Sequence, residues 1–419
     1  MKLLKTIKNK ELINNYLWTF LQFSSKYVYL FFLSFISAYF LDEISFGILS
    51  YVLVFLTFLL LFSDFGFSSS LYKYTSETFN LNKKNLKLIL FPSFILIFLI
   101  SSLVTIFLLL YIFLINKNDV SILLLFIIPV LYLIPFTSIL DGFLKGIGEF
   151  KLLGKLYFYI MLFILPITLF LVYDFGIYGA LISYNFLYFL FFLFLFINTI
   201  SFFSVNFSFK RVKRIFNYGL NIGFIYLAFF FFFKIDIFIL GLNNEFNIIA
   251  IYELFNKLVL FTLLPFLVLS TILKPKIITL NINKKFNVMQ TYFLKTFLSI
   301  LFISIIISIS FFHFTPFFMS LFFDKYINVN FQFFLLFFSL LIPFMIIKET
   351  FFSSFLISIN KVKLILYSSL FFGILNLLIS FIFYDLLGAY FIIIFSLFCF
   401  ILSVLIPIFY YFFFLSKLK

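Results

Sequence analysis

Apolar residues run along this chain in blocks, without the spacing of an amphipathic helix or the alternation of a strand. Most blocks extend for 18 or more residues, about the length a helix needs to cross roughly 30 Å of hydrocarbon. A membrane β-barrel would show dyad alternation of apolar and polar residues, which is absent. Twelve spans are predicted, at 15–40, 46–72, 88–115, 120–140, 153–173, 178–198, 217–241, 248–273, 291–312, 331–347, 364–384 and 387–414. Their connections are short and no hydrophilic domain is inserted. The pattern predicts an all-α polytopic membrane protein.

Composition agrees. Of 419 residues 65% are hydrophobic and only 11% charged, with 80 Phe and 25 Tyr; a water-soluble exterior cannot be built from this inventory. A formal charge of +15 would suggest nucleic acid in a soluble protein, but here the cations act as topology signals. With both termini cytoplasmic, the termini and the inner loops hold 25 of the 30 cations. The outer loops hold two, Lys117 and Lys325, against Asp42, Glu43, Asp119, Asp174, Glu245, Asp324 and Asp385. A missed or invented span would scramble this alternation, so twelve spans with both ends inside is the expected topology. Cys399 stands alone in an apolar run and can form no internal disulfide. The lysine-rich start leads into Glu11, Asn14 and Asn15 rather than a short apolar core and cleavage site, so no signal peptide is expected.

A faint repeat relates the two halves. Asn15-Tyr16 matches Asn217-Tyr218, Phe46-Gly47-Ile48-Leu49 matches Ile249-Ala250-Ile251-Tyr252, and Lys73 falls opposite Lys276. The expected organisation is a six-helix lobe over 1–205 and a second over 206–419, an arrangement common among transporters.

Apart from Lys155 and Lys295 at span ends, counted with the inner cations, six charges fall inside spans, where an ionisable group costs several kcal/mol unless it is paired or faces water. Lys26 lies near the middle of span 1, beside Gln22, Ser24 and Ser25, too deep for its stem to reach an interface. It either lines a wet cavity and meets an anionic group, or is satisfied by carbonyls or a carboxylate. Lys234 and Asp236 are two apart, point to opposite sides of a helix and need separate partners. Asp236 is a candidate ion- or proton-binding group, or a counter-charge. Glu253 and Lys257 have the i,i+4 spacing of an intrahelical pair. Asp64 precedes Phe65-Gly66 among small residues that permit close helix approach, which suits packing or gating. Lys26, Lys234 and Lys257 are thus the candidate substrate-binding cations, and Asp236, Glu253 and Asp64 the candidates for ion coupling or gating. No Walker loop, metal-ligand spacing or nucleophile with a neighbouring histidine occurs, and no cofactor is expected.

The motifs in order resemble bacterial polysaccharide exporters. They run Asn15 to Trp18, Phe46-Gly47-Ile48, Ser63-Asp64-Phe65-Gly66-Phe67, Leu71-Tyr72-Lys73-Tyr74, then Tyr218-Gly219, Ile235 to Gly241, Ala250-Ile251-Tyr252, Lys257 and Lys274-Pro275-Lys276. The chain resembles the O-antigen and repeat-unit flippases of the multidrug/oligosaccharidyl-lipid/polysaccharide exporter superfamily. That resemblance implies a MATE-like fold of two six-helix bundles with a central, cationic cavity, which Lys26 suits. It implies a polyprenyl-diphosphate-linked oligosaccharide as cargo, moved from the inner to the outer leaflet of the bacterial cytoplasmic (inner) membrane for lipopolysaccharide, capsule or a similar glycan. Membrane lipids, a glycan polymerase and chain-length proteins are the implied partners; nucleic acid is not. The alternatives are a cation-coupled multidrug exporter of the same fold, a glycan polymerase or acyltransferase, and a lipid scramblase or non-transporting scaffold.

Overall fold

The computed structural model describes residues 2–81, 83–114, 119–204, 209–283, 285–328, 330–356 and 362–417. Of the loop cations, Lys117, Lys284, Lys361 and Lys419 lie outside them. The described residues are helical almost throughout and include no strand. Eight helical stretches among them are long and apolar enough to cross a membrane. Two of these, 53 and 48 residues long, would extend for about 70–80 Å at 1.5 Å per residue, far beyond one crossing. Each bends back at a glycine in the left-handed region: Gly176 (φ 56°) inside α7 (Phe150–Thr199) and Gly388 (φ 75°) inside α13 (Val362–Lys417). Both glycines follow a Tyr-Asp pair, Tyr173-Asp174 and Tyr384-Asp385. Gly176 lies in the predicted connection 174–177, and Gly388 lies two residues past the predicted connection 385–386. The return of α7 is visible in Tyr157 stacking on Phe191 at 4.2 Å.

The chain divides into two compact units, residues 1–41 with 52–227 and residues 42–51 with 228–419. In the first, α1 (Lys2–Phe40) packs chiefly on α7, and α3 (Phe67–Leu81) on α6 (Ile128–Gly146). Small residues set both approaches. A Cβ at Gly142 would stand 2.5 Å from the Ser68 carbonyl oxygen, and one at Gly146 would stand 2.5 Å from Thr75 Cβ. This is the close packing that a Gly-x-x-x-Gly face permits. Hydroxyls within the spans return their protons to a carbonyl one turn back, as in Ser25 to Leu21, Ser34 to Leu30 and Thr168 to Ile164. Hydrocarbon offers such groups no other partner.

The second unit is built on α10 (Phe246–Ile282), α11 (Phe286–Phe322) and α12 (Phe331–Phe351). Its core is aromatic: Phe255 stacks on Phe338 at 5.7 Å and Phe293 meets Tyr411 at 4.5 Å. The first turns of α2 (Glu43–Asp64) belong here, with Gly47 against the Phe246 backbone and Tyr51 in the space beside Gly241. Asp42 caps α2 by accepting the Ser45 N–H at 3.2 Å, and the Ser45 bonds hold its carboxyl below the usual range. Burial lowers the Lys325 ammonium, against the opposing charges of Asp42 and Glu43.

The helices run past the predicted span ends: α6 continues to Gly146 and α12 to Phe351, so Lys145 and Lys348, two of the inner-loop cations, stand on helices. Lys348 is 4% exposed, with its Nζ 5.3 Å from the Phe400 ring centre. Hydropathy ends a span at the first charge, whereas the backbone continues wherever packing supports it.

Candidate functional site

Lys26 sits on α1 in the first unit, half-buried, with its Nζ 5.6 Å from the centre of the Tyr188 ring. Tyr184 lies 5.0 Å from Tyr188, ring to ring, and Tyr29 below them shares a 3.4 Å hydrogen bond with Thr168. No carboxylate among the described residues comes within ion-pair distance of Lys26, although Asp64 is near enough to feel its charge. A cation–π contact of this kind is worth about 0.5–1 kcal/mol, whereas removing an ammonium from water costs several. Lys26 therefore depends on water or an anion.

One turn earlier on α1, Gln22 is 4% exposed and donates from Nε2 to Asp141 Oδ1 at 2.5 Å. Asp141 Oδ2 accepts from Lys145 Nζ at 2.7 Å, and that ammonium stands 4.8 Å over the Phe23 ring. Gly142 and Gly146 seat α6 against α3, so the residue before each glycine is presented beside α1. Tyr157 approaches the same Gln22 from α7.

The second unit treats its charges differently. The helix of predicted span 7 breaks at Lys234 (φ −133°, ψ −11°), between α8 (Phe209–Phe233) and α9 (Ile235–Leu242). Lys234 Nζ reaches both Glu253 oxygens at 3.2 Å. Lys257 Nζ reaches Glu253 Oε1 at 2.8 Å and Asn256 Nδ2 reaches Oε2 at 3.0 Å. The spacing of Glu253 and Lys257 foretells their pair, and Lys234 joins it to make a triad of two lysines and one glutamate. Asp236 points elsewhere, as its offset from Lys234 requires. It is wholly buried, accepting from the Tyr252 hydroxyl at 3.1 Å and from Asn376 Nδ2 at 3.5 Å, with Ser396 beside it. Asn376 and Ser396 come from opposite arms of the α13 hairpin, and Ser380 steadies Asn376 at 3.2 Å.

Asp64, the last residue of α2, precedes a break at Phe65 (φ 34°) and Gly66 (φ 76°). Its carboxylate accepts the Ser68 N–H at 3.2 Å and the Ser68 hydroxyl at 3.0 Å, which fixes the start of α3. Lys234, Glu253 and Lys257 thus meet, Asp236 has its own neutral shell, and Lys26 has a tyrosine pocket. Asp141, Lys145, Tyr188 and Asn376 join these sites without a motif that marks them in the sequence. The available signals were the Asp-Gly and Lys-Gly steps of 141–146; the tyrosines are hidden in a chain with 25 of them.

These features define a multi-pass membrane protein with the fold of MATE transporters. The chain aligns with the inward-facing conformation of a multidrug resistance MATE family transporter of the MOP superfamily, at a TM-score of 0.72 and 16% identity over 93% of this chain and 94% of that one. An outward-facing MATE structure gives 0.62 and 16%, over 98% and 96%. A MOP superfamily transporter from Pyrococcus furiosus, described as having a binding pocket of reverse polarity that suggests a different function, gives 0.63 and 17% over the same shares. Comparison with curated proteins returns no match. A family model for polysaccharide biosynthesis proteins matches residues 12–277, well over half of the chain, and the protein belongs to that family.

Proposed function

We propose that the protein is a flippase that carries a polyprenyl-diphosphate-linked oligosaccharide from the inner to the outer leaflet of a bacterial cytoplasmic membrane, by alternating access through twelve spans with both termini cytoplasmic. The cargo would be an O-antigen, capsule or similar repeat unit, passed on to a glycan polymerase and chain-length proteins. Membership of the polysaccharide biosynthesis family supports the cargo class. The observation that carries the reading is Lys26: an intramembrane ammonium with an aromatic neighbour and, among the described residues, no carboxylate within ion-pair distance. A diphosphate supplies the charge that such a lysine lacks, and the lysine offsets part of the cost of drying the diphosphate. The prenyl tail can remain in the bilayer while the polar head passes.

Energy need not come from a nucleotide. Moving negative charge outward is driven by an inside-negative potential and is favourable by about 2.3 kcal/mol per charge per 100 mV. The triad of Lys234, Glu253 and Lys257 keeps one net positive charge and serves as a second, weaker attraction for the anion. Asp236, ringed by neutral donors, is the group that would bind a proton or cation if the cycle is ion-coupled. That same carboxylate is what a cation-coupled multidrug exporter of this fold would use, and it is the observation favouring that second reading. The deciding experiment is complementation of a host lacking its own repeat-unit flippase. Lys26→Ala should abolish surface glycan while the protein still inserts, and Lys26→Arg should be milder. Full glycan display with Lys26→Ala would remove the lysine and the reading built on it.

A further inference from the structure

We propose that Lys145 is a second anion-binding cation of the first unit and that Asp141 is its displaceable counter-ion. The proposal rests on the reading of an anionic cargo and adds to it a residue pair and a direction of effect. Asp141 and Lys145 are one turn apart on α6, acid first, and paired at 2.7 Å, with 18% and 17% of their side chains accessible. A pair sealed for structure alone would be buried; this one keeps partial access, and it touches α1. Gln22 donates to Asp141, and Lys145 stands over Phe23, a residue 49% exposed.

Helix geometry places Lys26 on the same surface. At about 100° per residue, Lys26 projects some 40° from Gln22 and 60° from Phe23, one turn or about 6 Å further along. It lies on the arc between the two residues that touch the α6 pair. Two ammonium groups, one on α1 and one on α6, therefore border one aromatic and amide-lined patch. A diphosphate has two phosphoryl groups and more negative charge than a carboxylate, and lysine binds phosphate as a point charge. It can draw Lys145 from Asp141, whose carboxylate keeps the Gln22 amide. While no anion is bound, Asp141 neutralises Lys145 and lowers the attraction for weaker anions. Only a ligand with charge enough to displace it recruits both lysines.

This gives the two halves of one ion pair opposite effects. The full-length protein, purified in detergent, is titrated with farnesyl diphosphate, with farnesol and inorganic pyrophosphate as parallel probes. Lys145→Ala should weaken farnesyl diphosphate binding by about tenfold, the scale of one charge-assisted contact. Asp141→Asn, which keeps the shape and the Gln22 contact, should tighten it several-fold. The double variant should behave like Lys145→Ala, and farnesol should be insensitive to all three. Thermal unfolding of each variant identifies any that fails to fold, and Lys145→Arg, which keeps the charge, should bind as the wild type does. Wild-type affinity in folded Lys145→Ala overturns the proposal, and so does weaker binding in Asp141→Asn, because a purely structural pair would lose in both directions. Loss of binding in Lys26→Ala with none in Lys145→Ala would leave the flippase reading in place and reject the second cation. Equal loss with inorganic pyrophosphate would support the second cation and show that it recognises the diphosphate itself, free or lipid-linked.

Discussion

The Lys26 pocket of the first unit and the charged cluster of the second both hold lysines within predicted spans and treat them in opposite ways. In that cluster each charge has a dedicated partner: Glu253 takes two ammonium groups and an amide, and Asp236 takes a hydroxyl and an amide. In the first, Lys26 has the face of a tyrosine. Both units lie in a protein whose surroundings offer little solvation, so the difference is not one of cost. It separates charges whose partners are built into the chain from a charge whose partner must arrive. Buried polar groups that satisfy one another specify packing, whereas an ammonium with only a π-face points to a ligand.

The comparison can be broken from the second unit's side. Glu253→Gln should have the largest effect, because it leaves Lys234 and Lys257 facing each other without a counter-charge. A loss of about 3 kcal/mol is expected, the low end for breaking a buried ion pair, read as a lower unfolding temperature in detergent and reduced membrane yield. Little change would mean that water reaches the triad and that it resembles Lys26 after all. Asp64→Ala should cost about 1 kcal/mol through loss of the bonds that start α3, checked by the same melt with Asp64→Asn as a partial rescue. Asp236→Asn should cost least, under about 1 kcal/mol, since its partners are neutral and an amide can still accept from Tyr252. Any loss of transport in that variant then reports ion coupling rather than misfolding, and a large drop in stability would show that the shell is tuned to a carboxylate.

What the sequence discloses differs between fold and site. Helical spans are legible because hydrocarbon imposes length and apolarity on each one; the hairpin glycine Gly176 falls in a predicted connection, and Gly388 two residues beyond one. The pair of Glu253 and Lys257 is legible because its partners share one helix and a fixed spacing. Lys234 reaches the same glutamate across 19 positions because the helix breaks at that residue, and no hydropathy rule marks the break. Asp141 and Lys145 were hidden for another reason. They follow the apolar stretch of their span, and only the glycine face of α6 against α3 shows that the helix continues. Asn376 and Ser396 meet Asp236 only after α13 turns back at Gly388, a contact between residues 140 or more positions apart in sequence from their shared carboxylate.

The central claim is that the half-buried ammonium of Lys26 enables an anionic lipid-linked sugar to cross. It is tested most directly in vesicles containing the purified protein and a polyprenyl-diphosphate-linked oligosaccharide, with the amount of sugar reaching the opposite leaflet measured over time under an applied potential. Wild-type protein should move the sugar and Lys26→Arg should retain much of that rate, while Lys26→Ala, equally folded and inserted, should lose at least about tenfold, the equivalent of 1.4 kcal/mol. Equal rates for wild type and Lys26→Ala would contradict the account.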